Sequence, residues 1–111
     1  MPDLIHDTAS AAHFSDEKLC KTSLHESAHM FCDIYGLRPG QAQKVHAHAG
    51  SDKIYHVLTG TAEVILGDQT HSLTPGHTAI APAGVDHGVR NASAEPSTLL
   101  VVMAPHPAFD G

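Results

Sequence analysis

His46-Ala47-His48 sets two imidazoles at i and i+2, a spacing that on a β-strand turns both side chains to the same face. Neutral imidazole is a ligand for divalent transition metals, and two on one rigid strand form half of a preorganised coordination shell. The chemistry this suggests is Lewis-acid activation of a small oxygen-donor molecule. The chain holds eleven histidines, so the pair gains weight only if other elements bring it a further donor.

Those elements read as short strands. Turn signals recur at Arg38-Pro39-Gly40, Ala49-Gly50-Ser51-Asp52, Leu66-Gly67-Asp68-Gln69, Pro75-Gly76, Pro82-Ala83-Gly84 and Glu95-Pro96. Between them lie eight candidate strands: Ala28–Leu37, Gln43–His48, Lys53–Leu58, Ala62–Leu66, Thr70–Leu73, Thr78–Ala81, His87–Asn91 and Thr98–Ala104. The pattern predicts an all-β domain of two facing antiparallel sheets, a jelly roll, with no substantial helix. Residues 1–21 are polar and small without sustained periodicity, an N-terminal arm able to pair with a sheet edge, and residues 22–111 form the one domain. A length of 111 residues leaves no room for a second core.

Composition narrows the partners. Twelve acidic residues against six basic give a formal charge of −6 with histidine neutral, which repels phosphate backbones and anionic lipid, so neither nucleic acid nor membrane is an expected partner. The opening MPDLIHDTASAA has neither a basic n-region nor an apolar h-region, and the apolar run Leu99–Ala104 is far short of the roughly 18 residues of a membrane span. A cytoplasmic protein is expected, with Cys20 and Cys32 as reduced thiols too far apart in sequence for a redox CxxC pair.

Two longer patterns supply the company that the histidine pair needs. Gly40, five residues, His46-Ala47-His48, four residues, Lys53, six residues and Gly60 follow the first cupin motif, G(X)5HXH(X)3,4E(X)6G, except at the glutamate. Gly76, five residues, Pro82-Ala83-Gly84, two residues, His87, three residues and Asn91 follow the second, G(X)5PXG(X)2H(X)3N, at all five specified residues. The chain thus resembles the cupin superfamily, as a small single-domain member of the RmlC-like kind. The resemblance implies a double-stranded β-helix, convergence of His87 with His46 and His48 on one metal, and a homodimer.

The departure from the pattern has chemical weight. Lys53 stands where the family has glutamate, and an ammonium beside a dication is repelled, so Lys53 is expected to turn away or stay outside the coordination shell. Asp52 and His56 are the candidates for an additional ligand. Alternation along the strand turns His56 outward and requires a bulge to turn Asp52 inward, which favours a three-imidazole site. Such a site carries a net +2 rather than +1 and favours an anionic ligand in its open positions. Zn, Fe, Ni, Cu and Mn all remain open as the metal. Tyr55 is expected to face in, as a core residue and candidate pocket wall, while Arg90 is out of phase with His87 and expected on the surface.

The functional expectation is a metal-binding cupin acting as a metalloenzyme on a small anionic or oxygen-donor molecule, dioxygenase- or isomerase-like by resemblance. The alternative is a binding or sensing cupin module without turnover, since the sequence names no separate general base or nucleophile.

Overall fold

A computed structural model describes residues 3–109 of the chain. Nine strands appear: β1 Cys20–Glu26, β2 Phe31–Leu37, β3 Ala42–His46, β4 Asp52–Thr59, β5 Ala62–Leu66, β6 Gln69–Leu73, β7 Thr78–Ala81, β8 His87–Arg90 and β9 Ser97–Ala104. A single helical turn, Thr8–Ala11, precedes them, capped by the Asp7 carboxylate accepting from Ala9 N at 3.1 Å. The strands form two sheets, one ordered β1-β2-β9-β4-β7 and the other β3-β8-β5-β6, with antiparallel pairings throughout. This is the double-stranded β-helix of a jelly roll. Among the described residues no helix is long and apolar enough to cross a membrane.

Alternation drives the assembly. Along β4, Lys53, Tyr55 and Val57 point in, while Ile54, His56 and Leu58 are only half-buried. Leu37, Val64, Val89, Leu99 and Val101 from the other strands complete an aliphatic core that contains no tryptophan. At about 25 cal/mol per Å² of apolar surface removed from water, burying these side chains is the main force holding the two sheets together.

Eight of the strands match the expected ones to within three residues at either end. The ninth, β1, runs across the expected junction between arm and domain and forms the edge of the larger sheet, pairing Cys20 with Gly36 and Lys21 with Tyr35. Its residues are mostly exposed and polar, as befits an edge, which is why no strand pattern stands out there. The preceding segment lies against β2: the His13 carbonyl occupies the space a Cβ at Gly36 would take. Ser15 O accepts from Gln41 Nε2 at 2.7 Å, and Asp16 pairs with Arg38 at 3.1 Å. Cys20 and Cys32 are both free thiols.

The motif residues outside the histidines are joints. Asn91 Nδ2 donates to Leu37 O and Glu95 O, and its backbone exchanges hydrogen bonds with Gly40 N and Gln41 O, tying the β2–β3 and β8–β9 connections together. Gly60 turns at φ 72°, and a Cβ there would meet Ser97 Cα at 2.9 Å. Left-handed backbone and backbone crowding thus act at one residue, and Gly60→Ala is expected to lower stability by about 2–4 kcal/mol. Urea denaturation checks this; a loss below about 1 kcal/mol would show that the turn relaxes around the methyl group.

Candidate metal centre

The register of β3 against β8 builds the site. Gln43 is opposite Val89 and His46 opposite His87, so three steps along β3 span two along β8. The extra residue is a bulge, and it re-phases β3 so that Gln43 and His46 both point into the barrel. Strict alternation from His46 would have put Lys44 there instead; Lys44 is exposed. β3 ends at His46, and His48 lies beyond it, held by its carbonyl, which accepts from Gly84 N at 2.8 Å. The turn that launches β8 is thereby fastened to the segment that carries His48.

The structure brings His46, His48 and His87 together. Ring centroids lie 4.6 Å apart for His46 and His87, 4.8 Å for His46 and His48, and 5.7 Å for His48 and His87. One ring nitrogen of each falls within 4.8 Å of the others, a grouping that could hold a metal ion.

Hydrogen bonds select which nitrogen is offered. Nδ1 of His46 lies 2.7 Å from Lys44 O, and Nδ1 of His87 lies 3.0 Å from Val85 O. A carbonyl only accepts, so each Nδ1 carries the proton and each Nε2 is left with its lone pair outward, the arrangement that orients metal-bound histidines. Nε2 of His87 is buried with no hydrogen-bond partner. Burial is the main cause holding the pKa of both His48 and His87 below the usual histidine value, which favours the neutral imidazole that a metal requires.

Neither candidate for a further ligand joins the group. Asp52 is exposed at the start of β4, and its Oδ1 accepts from Ala83 N at 2.8 Å, bracing the Pro82-Ala83-Gly84 turn from outside. His56 points away from the interior, with Nδ1 2.6 Å from Thr78 Oγ1 on β7. Arg90 is on the surface, paired with Glu63.

Of the two positions expected for Lys53, turned away or kept outside the coordination shell, the structure excludes the first. Lys53 is 2% exposed and points inward between two aromatic rings, Nζ 5.0 Å from the centroid of Tyr55 and 5.6 Å from that of Tyr35. The phase of β4 leaves it no outward route, and the rings offer an ammonium partial compensation for lost water. Gln43, which strand alternation alone does not find, gathers the polar atoms here. Its Oε1 accepts from Tyr55 Oη at 2.7 Å and Lys53 Nζ at 3.2 Å, while its Nε2 donates to Tyr35 Oη at 3.2 Å. Tyr55 is therefore both the expected wall, its ring 6.1 Å from that of His87, and a polar partner of Gln43. Burial pushes both phenols above the usual tyrosine pKa and pulls Lys53 down to about 8. A cleft of about 380 Å³ opens onto His46, His48, Gln43 and Lys53.

The sequence pattern of the cupin domain matches residues 34–103, which spans the whole of this site. An uncharacterized protein of Streptomyces coelicolor is 33% identical over 76 residues, covering 68% of this chain and 70% of that one. Protein SchB of Streptomyces halstedii is 31% identical over 75 residues, 68% of this chain but 54% of its own length, so the chain spans about half of SchB. Among solved structures, TT1209 from Thermus thermophilus is 50% identical with a TM-score of 0.90, covering 93% of this chain and 98% of that one.

The buried ammonium has a measurable cost. Its pKa is about 8 in the folded chain against 10.5 for an unperturbed lysine, so between those values the unfolded state binds more protons and stability from this group rises with pH. Lys53→Met is expected to stabilise the metal-free protein by about 1–3 kcal/mol at pH 7, the advantage shrinking as pH rises from 8 towards 10.5. Paired denaturation curves of the two proteins across that range are the check, and a variant less stable at pH 7 would refute it.

Proposed function

The chain belongs to the cupin family, and from that premise we propose a metal-dependent enzyme in which His46, His48 and His87 hold one divalent transition-metal ion and a small oxygen-donor anion is transformed beside it. The observation that carries this is Nε2 of His87, buried without a hydrogen-bond partner and flanked by the other two imidazoles. An orphaned buried nitrogen costs roughly 1–3 kcal/mol, and a cation shared with His46 and His48 offsets that cost.

An ion held there supplies Lewis acidity and a template for orienting oxygen donors. No carboxylate belongs to the group among the described residues, so three neutral imidazoles leave its charge undiminished and favour an anion in the remaining positions. The chain's own residues do the rest. Carbonyls of Lys44 and Val85 fix the tautomers of His46 and His87. Gln43 holds the Tyr55 hydroxyl and the Lys53 ammonium in fixed positions on the wall of the barrel, where Lys53 can balance negative charge that develops on a bound molecule. Buried Tyr55, its ring against that of His87, and buried Met103, on the wall of the cleft, limit water there.

Untagged protein is expected to purify with, or take up, about one equivalent of divalent metal, with melting temperature falling on chelation as the linkage is removed. The His46→Ala/His87→Ala protein should take up none while keeping its β circular-dichroism spectrum. Metal content unchanged by those substitutions would mean that ions bind elsewhere among the eleven histidines and would refute the proposed centre.

A further inference from the structure

The chain has four lysines, Lys18, Lys21, Lys44 and Lys53. All four line two adjoining clefts at one mouth of the barrel. The cleft at the histidines holds Lys21, Lys44 and Lys53, and its neighbour of about 600 Å³ shares Lys21, Gln43 and Lys44 with it and adds Lys18. The two arginines are used differently: Arg38 pairs with Asp16 and Arg90 with Glu63, both on the surface. Among the described residues no lysine is ion-paired. In a chain of net charge −6, an accumulation of unpaired ammonium groups at one opening is self-repelling and invites an anion.

Depth grades the group. Lys21 and Lys44 are exposed at the rim, whereas Lys53, 2% exposed, lies in the wall of the cleft that His46 and His48 also line. Lys21 and Lys53 both face the ring of Tyr35, Nζ at 5.3 and 5.6 Å from its centroid, so two cations approach one side chain from different strands. Asp33 on β2 acts on both of them, and burial, the main cause, holds its carboxyl above the usual range. Lys21 and Lys53 thus share one half-buried carboxylate.

We propose that this mouth selects small dianions: one end is an oxygen donor at the three-histidine centre, and the other is a second anionic group held by Lys53 with Lys21 and Lys44. The inference rests on the metal-dependent reading above and adds the class of molecule that reading leaves open. Replacing the family's glutamate with Lys53 removes a negative charge from the metal's surroundings and supplies a positive one to the substrate. Ammonium groups are point charges that serve carboxylate and phosphate alike, so the shared chemistry is the second negative charge, whichever group carries it.

The test is calorimetric titration of Zn²⁺-loaded protein with succinate, 3-phosphonopropionate and butyrate, alike in length at the metal-binding end but with a carboxylate, a phosphonate and a methyl at the other. Succinate or 3-phosphonopropionate is expected to bind at least about tenfold more tightly than butyrate, and the tighter of the two identifies the second group. In Lys53→Met the preference should fall below about threefold, with Zn²⁺ stoichiometry unchanged. The rim pair Lys21→Gln/Lys44→Gln, which leaves the barrel interior intact, should lose part of the preference and its salt dependence. Equal affinities for all three ligands in the Zn²⁺-loaded protein, or a preference undiminished in both variants, would overturn the inference while leaving the metal centre standing. A protein that takes up no Zn²⁺ would overturn both.

Discussion

Opposite His87, β3 must deliver His46, and a short step back along the strand it must also deliver Gln43; a regular strand cannot do both. The bulge between those residues resolves the conflict, and the rest of the site depends on it. With the bulge, the imidazoles of His46 and His87 meet across a strand pair, and Gln43 reaches the phenols and the ammonium of the opposite sheet. Without it, Lys44 would enter the barrel beside Lys53, and the polar side chains of the larger sheet would lose their acceptor. The imidazole half and the polar half of the cavity are therefore consequences of a single extra residue.

The polar half is costly to maintain. A buried ammonium, two buried phenols and one amide are mutually satisfied through Gln43 and through the faces of Tyr35 and Tyr55. An apolar core of the same volume would be more stable. Local rules broken in this way, with compensation from specific neighbours, are what physical chemistry leads one to expect at functional sites. The aliphatic end of the barrel, with Leu37, Val57, Val64, Val89 and Leu99, bears the stability that the other end gives up.

Much of this is legible in the residues themselves. Short strands punctuated by Gly and Pro turns declare themselves through period and turn chemistry, which is why β4 through β9 fall where expected. The histidine triad is legible because spacing and motif agree, although convergence of His87 on His46 comes from family resemblance and not from any local signal. Three things are not legible, each for a physical reason. The bulge has no sequence marker, so nothing in the sequence singles out Gln43. Charge repulsion argues for Lys53 outside, but strand phase overrides it and the aromatic rings make its burial bearable. Edge strand β1 carries no buried stripe, because one of its long sides pairs with β2 and the other has no neighbouring strand in the sheet. Asp52 and His56 are near enough in sequence to be ligands, and the geometry puts them to other work, bracing a turn and bonding to β7.

His48 stands past the point where the β3 ladder has ended, tied to the β8 turn by the bond from Gly84 N to its carbonyl. The three imidazoles thus span a seam: His46 is anchored in a sheet, His87 opens another strand, and His48 rides on the connection that follows β3. An ion bound across that seam would act as a cross-link, adding a further tie between two loops already joined by the bond from Gly84 N to His48 O and braced by Asp52. Occupancy would then be felt as slowed opening of the segment from His48 to Ser51 and of the Pro82-Ala83-Gly84 turn. Chemistry and local rigidity at this mouth would rise and fall together.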